Sequence, residues 1–347
     1  MWTVDFAEPG CADPRLVGGK AHGLATMARA DMPVSPGFAV TTYAYRDFLS
    51  ASGLGARLEA LLKGLDRGSI AALNEAAATV AGWFDDTEMA DDLRACIAAG
   101  YAGLCGSCGA GNLSVAVRSS ATAEDTAGTS FAGEYETFVG LRGSAQVDLH
   151  VRRCWASAFT ARALGYAWKN GIDPLRVGMA VVVQKMINAR VAGVMFTLNP
   201  VTGDRSRIVI EASYGLGLGV VGGEVTPDHY VVAKIEGEVL ERTVGDKHVE
   251  FLGGHVPTPV DHDRRVRLCL KDADLLALAR LGKRLERLQR APQDIEFAID
   301  ADLPPGRDIV LLQCRPETVW SSGRRRASGR GMSLGLADAV LASTHGG

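Results

Sequence analysis

The run from Val115 to Thr137, VAVRSSATAEDTAGTSFAGEYET, constrains this chain more than any other stretch. Residues 113–117 are short, apolar and β-branched and predict a buried strand. Arg118 is expected to leave that strand into a long run of small and hydroxylated side chains, after which Phe138-Val139 opens a second strand. Such a run fills no core. Its closely spaced backbone N–H groups and hydroxyls suit an anionic, phosphate-bearing ligand. The other reading is a flexible surface loop. The arginine at the strand end and the acids Glu124 and Asp125 inside the run favour the first.

At 347 residues the chain exceeds what one hydrophobic core normally serves, so two lobes are expected. Lysine plus arginine number 37 against 40 acids, a formal charge of −3, so no basic field points to nucleic acid. No apolar run approaches the ~18 residues of a membrane span, and the N-terminus lacks a signal pattern. A soluble, cytoplasmic protein with no membrane partner is expected. Cysteines 11, 96, 105, 108, 154, 269 and 314 are scattered and odd in number, which predicts no disulfide framework. Cys105 and Cys108 have the spacing of half a zinc site, but no second Cys/His pair follows; they read as free thiols in a loop before the 113–117 strand.

Earlier in the chain, Val17-Gly18-Gly19-Lys20 precedes Leu24, Met27 and Ala28 at helical spacing, placing Lys20 at or just inside a helix N-terminus. A cation there is locally unfavourable unless an anion joins it. The spacing is not that of a P-loop, and Ala21 stands where a hydroxyl residue is needed. On local grounds Lys20 reads as a solvated lysine. Residues 34–40 predict a turn and a short strand. Residues 42–101 are helical in period, with Ser69 and Thr87 as N-caps. One long helix is expected over 144–170, stopped by Gly171, with Trp155 and Phe159 in the core.

Strands are predicted over 177–187, 191–198 and 208–212, the last carrying Glu211 at its end; 199–204 is a turn cluster. Gly217, Gly219 and Gly222 spell a G-x-G-x-x-G after a strand. The helix such a turn requires is replaced by Pro227-Asp228 and a β-branched segment at 229–233, which rejects a dinucleotide-binding reading. A hairpin around Glu236-Gly237 and a helix over 271–290 follow. Strands are then expected at 294–299 and 309–315. Period two puts Asp294 and Glu296 on one face, and groups Leu311, Gln313 and Arg315 against Val310, Leu312 and Cys314. Paired as a hairpin, these strands bring two acids, an amide and an arginine together, a set suited to Mg²⁺ between carboxylate and phosphate oxygens. An exposed face with an incidental Asp–Arg pair is the alternative. Residues 321–331 read as a basic flexible tether, and 332–342 as either a short apolar helix or disorder.

Eight ordered segments carry a resemblance. They are VGGKAHGLATM (17–27), PVSPGFAVTT (33–42), SVAVRSSATAEDTAGTSFAGEYETF (114–138), VGMAVVVQKMI (177–187), AGVMFTLNPVTGD (192–204), IEASYGLGLGVVGGEVTPD (210–228), PQDIEFAI (292–299) and LLQCRPET (311–318). Together they resemble the ATP-binding domain of the pyruvate phosphate dikinase and phosphoenolpyruvate synthase family, which also includes rifampicin phosphotransferase and the ATP-binding subunit of phenylphosphate synthase. The resemblance implies an α+β, ATP-grasp-like fold. Its N-terminal lobe (1–187) and C-terminal lobe (188–320) would clamp ATP, with the adenine against the segment joining them and a basic tail at 321–347. It implies phosphate contacts from Lys20 and Arg118, and a closing loop containing Gly133 and Thr137. Gln184 and Met186 would frame the adenine, with Glu211 near the ribose or the amide edge. Glu296 and Gln313 would hold Mg²⁺, while Asp294 and Arg315 complete the phosphate patch. One departure is that the family reads Gly-Leu-Gly-Glu where this chain has Gly215-Leu216-Gly217-Leu218-Gly219, so Leu218 removes a carboxylate.

In that family a histidine on a separate swivelling domain takes a phosphoryl or pyrophosphoryl group from ATP and carries phosphate to a second site, leaving AMP and phosphate. In-line transfer of this kind needs charge dispersal by positioned cations, here Lys20, Arg118 and Arg315. Of the histidines at 22, 150, 229, 248, 255, 262 and 345, none stands in a Gly-rich Thr-Ser-His-Ala setting. The chain is therefore expected to be the ATP-charging part of a split system, or a piece of a longer chain. Its partners would be a phosphohistidine-carrying domain or subunit, an acceptor-binding subunit, and a phenol- or pyruvate-type acceptor. The alternatives are a self-contained small-molecule kinase and a non-catalytic nucleotide-sensing module.

Overall fold

The computed structural model describes residues 1–122, 125–126, 129–130, 136–317 and 320, the four residues at 125–126 and 129–130 by backbone alone. Gly133 and the 321–347 tail lie outside the described residues. In chain order the elements begin with β1 (Thr3–Asp5), α1 (Pro14–Arg29), β2 (Gly37–Val40), α2 (Thr42–Ala51), α3 (Leu54–Lys63), α4 (Ile70–Asp86) and α5 (Asp91–Ser107). There follow β3 (Val115–Ala121), the short β4 (Asp125–Thr126) and β5 (Thr129–Ser130), β6 (Thr137–Leu141), α6 (Ser144–Ala156), α7 (Ala161–Lys169) and β7 (Met179–Lys185). The remainder is β8 (Ala189–Phe196), β9 (Arg207–Tyr214), α8 (Leu218–Val221), β10 (Asp228–Ala233), β11 (Val239–Thr243), β12 (Val249–Phe251), β13 (Pro257–Pro259), α9 (His262–Arg265), α10 (Asp272–Gln289), β14 (Gln293–Asp300) and β15 (Ile309–Pro316). This is mixed helix and sheet, as the α+β expectation has it.

The chain forms two compact units, one of Met1–Asp31 with Ser35–Met186, the other of Met32–Val34 with the described residues from Ile187 on. The three residues Met32–Val34, expected in the N-terminal lobe, join the second unit because Leu311 donates its N–H to Pro33 O (2.7 Å) and Val34 bridges Leu311 in parallel.

The first unit is built on an antiparallel sheet of order β1-β2-β7-β3-β6. One face buries Phe38, Val40, Val117, Val181 and Val183 under the helices, where Trp155 stacks 5.1 Å from Phe48 and Phe84 lies 6.2 Å from Phe159. The other face carries the small or slim residues Ala39, Ala180 and Val182, all fully buried, and this lets α1 approach β3 and β7 closely.

Four expectations for this unit change. The strand does not end at Arg118; β3 runs on to Ala121, because Ser119, Ser120 and Ala121 are buried and pair with Val181, Ala180 and Met179. The single helix over 144–170 is two helices separated by a 3-10 turn at Ser157–Phe159. Ser157 donates to Cys154 O (2.7 Å) and Thr160 starts α7 afresh by accepting from Ala163 N (3.2 Å), so hydroxyls divert the backbone mid-segment. Gly171 does follow its end, with φ 68°. Ser69 caps α4 as expected, but Thr87 is that helix's C-cap, and α5 begins after Ala90 and continues to Ser107. Cys105 is therefore in the last turn of α5 and not in a loop; the seven cysteines are all free.

The second unit holds an antiparallel sheet of order β11-β10-β9-β8-β14-β15. Ile210, Tyr230, Met195, Ile295, Phe297 and Leu311 lie on one face, as their registers require, and α10 covers it with Leu275, Leu278 and Leu285. Gly282 brings this helix in close, since a Cβ there would stand 3.1 Å from Met195 Cε. The β10–β11 hairpin turns at Gly237 (φ 71°), as predicted. The rejection of a dinucleotide fold holds: the glycine run contains only the four-residue α8, and β9 and β10 are antiparallel neighbours where that fold needs a parallel crossover.

Candidate nucleotide-binding site

Residues directly opposite one another in an antiparallel ladder share a face, so registers alone decide which candidate side chains meet. In the first unit Arg118 lies mid-strand, opposite Thr137 on β6 and Val182 on β7; Gln184, two residues from Val182, shares that face. This is the face α1 covers. Helix α1 is broken at Gly18 (φ 73°, ψ 174°), so Lys20 stands in the first turn of its second segment, as the sequence suggests. The break is docked on β3: Ser120 donates its hydroxyl to Val17 O (2.7 Å) and accepts from Ala21 N (3.1 Å). The positive charge of Lys20 also reaches Cys154, opposing the burial that pushes this thiol far up, and Cys154 Sγ contacts Val117 O at 3.8 Å. Lys20, Arg118, Thr137 and Gln184 thus gather around one face of one sheet.

Two hydroxyls offered by the sequence as phosphate donors are spent otherwise. Ser119 donates to Glu136 O (3.0 Å), and Ser120 is committed to α1. Gln184 is buried and donates its amide to Ser35 O (3.0 Å), while Met186 donates its N–H to Ser114 O (2.9 Å). These bonds fix where Gln184, near the end of β7, and Met186, just beyond it, are held.

In the second unit the face away from α10 holds the candidate residues. Asp294 pairs with Arg315 and Glu296 with Gln313 directly across the β14–β15 ladder. Glu296 is opposite Val194 on β8, Val194 opposite Glu211 on β9, and Glu211 opposite His229 on β10. A single row therefore reads His229, Glu211, Val194, Glu296, Gln313, with strands spaced by about 4.8 Å. Glu211 is inside β9, not at its end as expected, and is 6 % exposed. The expected grouping of Leu311 with Gln313 and Arg315 is also corrected. A register shift after Glu296 sets Leu311 against Phe297 in the core, and Leu312 packs on the opposite face against Ala192, Ala298 and Val310.

Arg315 forks onto Asp294 Oδ2 from Nε (2.8 Å) and Nη2 (2.6 Å). Burial pushes the Asp294 carboxyl up, with the Arg315 guanidinium pulling the other way. The Asp–Arg pair that the sequence left open as incidental is thus formed and half-buried. Beside this row lies the glycine run, where a Cβ on Gly217 would meet Ala192 Cβ at 3.7 Å. Ser213, two residues beyond Glu211 on the same face, is 3 % exposed and its Oγ has no hydrogen-bond partner among the described residues. A buried orphan hydroxyl costs about 1–3 kcal/mol, which a polar ligand atom would recover.

For a metal, one carboxylate and one amide oxygen on adjacent strands fit Mg²⁺, which keeps several waters and shares substrate phosphates instead of filling a protein cage. Among the described residues no group of three or more His, Cys, Asp or Glu side chains could hold a metal ion by itself. Two surface cavities, of about 470 Å³ near Asp246 and Arg265 and about 330 Å³ near Asp5 and Gly100, include none of the candidate residues.

Residues 14–332 match the model of the pyruvate phosphate dikinase AMP/ATP-binding domain. The chain belongs to that family. It is 41 % identical over 348 residues to a probable phosphoenolpyruvate synthase of Methanothermobacter thermautotrophicus, covering 97 % of this chain and 50 % of that protein. The phosphoenolpyruvate synthase of Aeropyrum pernix is 39 % identical over 344 residues (91 % and 42 %), and a rifampicin phosphotransferase of a Streptomyces species 38 % over 323 residues (91 % and 36 %). The chain thus spans half or less of the length of the curated relatives it matches. Membership makes ATP the ligand class of the domain, and a dikinase-type, ATP-using domain its kind.

His229 and Ser213 were missed from sequence. Strand period two would have put Ser213 beside Glu211, but only the pairing of β9 with β10, across the glycine run, brings His229 to that carboxylate. Among the described residues no helix is long and apolar enough to cross a membrane.

Proposed function

We propose that this chain is the ATP-charging part of a dikinase-type phosphotransferase, ATP-grasp-like in its use of two lobes. It transfers a phosphoryl or pyrophosphoryl group from Mg-ATP to a histidine on a partner domain or subunit. That histidine then phosphorylates a phenol- or pyruvate-type acceptor bound by another subunit, leaving AMP and phosphate, in the cytoplasm. The observation that carries the reading is the row of Glu211, Glu296 and Gln313 beside the Asp294–Arg315 pair on one sheet face, in a chain of an ATP-binding family.

In this reading Lys20, Arg118 and Arg315 disperse the charge that develops on the transferred group, with Thr137, held in β6 opposite Arg118, offering its hydroxyl to a phosphate beside that arginine. Gln184 and Met186 frame the adenine, and Glu211 takes the ribose or amide edge. Glu296 and Gln313 hold Mg²⁺, which neutralises phosphate charge when bound. Leu218, where the family has a carboxylate, adds no charge to this set. Each group acts by position, with no covalent step on the chain itself.

The test follows ATP and AMP by ion-exchange chromatography with and without a histidine-bearing partner chain. ATP should be consumed to AMP only when the partner is added, and Arg118→Ala should slow that by ~10²-fold or more. Partner-independent phosphorylation of a small acceptor would replace this reading with a self-contained kinase. Tight ATP binding without turnover under any partner would replace it with a sensing module.

A further inference from the structure

We propose that His229 is a positioning residue for Glu211, its imidazole holding that carboxylate in place and offsetting its charge on the face that receives a polyanionic nucleotide. The proposal rests on the nucleotide reading above. Glu211 is a buried carboxylate whose hydrogen-bond partner among the described residues is His229, with Nδ1 to Oε1 at 3.3 Å. An unmatched carboxylate buried in a sheet face is costly and repels phosphate, so the state of this partner matters to both fold and ligand.

The groups facing His229 are acidic or neutral. Glu211 comes from β9; from β11 come Thr243, directly opposite, and Glu241, whose charge also reaches the ring. The hydrogen bond to Glu211 raises the imidazole above its ordinary 6.5, with burial opposing. Because the folded value is raised, the stabilisation is fully present below about pH 6.5 and is lost as pH rises through the raised value. Above it, the imidazole no longer offsets the Glu211 carboxylate, which shares its row with Glu296 across Val194.

The experiment is Mg-ATP titration calorimetry on the full chain between pH 6 and 9, for the wild type, His229→Gln and His229→Lys. The wild-type Kd should weaken by roughly fivefold across that range, as ~1 kcal/mol of lost compensation implies. His229→Gln should bind weakly at every pH, with a flatter profile. His229→Lys, cationic throughout, should restore tight binding at high pH. Protonation of ATP itself is common to all three proteins and drops out of the comparison. A His229→Gln profile parallel to the wild type, or no rescue by lysine, overturns the proposal. Wild-type binding that Glu296→Gln abolishes keeps the nucleotide reading standing even then; absence of Mg-ATP binding by the wild type at any pH removes both.

Discussion

Replacing Gly18 by alanine should do far more damage than its single methyl suggests. Gly18 adopts φ 73° and ψ 174°, a region reached almost only by glycine, so a side chain there costs about 1–3 kcal/mol in backbone strain. Its Cβ would stand 2.0 Å from Ser120 O and 2.5 Å from Ser120 Oγ. The carbonyl belongs to β3 and cannot rotate away, so α1 must lift off the strand, adding an overpacking cost of about 1–3 kcal/mol. The total is about 4 kcal/mol, or ~8–16 °C in Tm for a unit of this size. Gly53→Ala is the control: Gly53 has φ 71°, but no atom lies within 4 Å of its Cβ position, so only about 1 kcal/mol of left-handed strain applies. Urea unfolding read by tryptophan fluorescence reports on this unit, because Trp2, Trp83, Trp155 and Trp168 lie in it, and only Trp320 lies outside. Lifting α1 also carries Lys20 away from Arg118, so Mg-ATP affinity should fall together with stability in Gly18→Ala and not in Gly53→Ala. A Gly18→Ala protein within about 1 kcal/mol of Gly53→Ala would refute the docking of α1 on Ser120 as the reason for the glycine.

Ser213→Ala should stabilise the ligand-free protein by about 1 kcal/mol, since it removes a buried hydroxyl that has no partner among the described residues; a loss of stability in thermal melts would show that the hydroxyl is satisfied. Lys247 and Asp228 are both fully buried and paired, and Lys247 also donates to Gly245 O (3.1 Å) and Arg265 O (3.0 Å). Lys247→Met strands Asp228 and should cost about 3–5 kcal/mol in urea unfolding followed by circular dichroism, whereas Asp228→Asn combined with Lys247→Met should recover part of that.

Much of the candidate site was legible because strand period is local. Asp294 and Glu296 share a face for the same reason that any residues i and i+2 do, and the hairpin that carries them to Gln313 and Arg315 needs only two short strands and a turn. The Lys20 helix start was legible too, since two glycines before an apolar period of 3.6 announce it. Three errors share a different origin. The extension of β3 beyond Arg118, the break after α6 and the displacement of Leu311 each depend on hydrogen bonds or pairings with residues far off in the chain, or on hydroxyls whose partners the local pattern does not name.

Order along the chain was thus enough for most element types, for the family and for the shared face of Asp294 and Glu296, all of which follow from periodicity and short motifs. Tertiary structure alone decided that Ser120 anchors α1 instead of awaiting a phosphate, and that Glu211 faces His229 in the same row as Glu296. The physical reason is that side-chain direction repeats within a strand, whereas which strand lies beside it is set by packing between segments that no local rule connects.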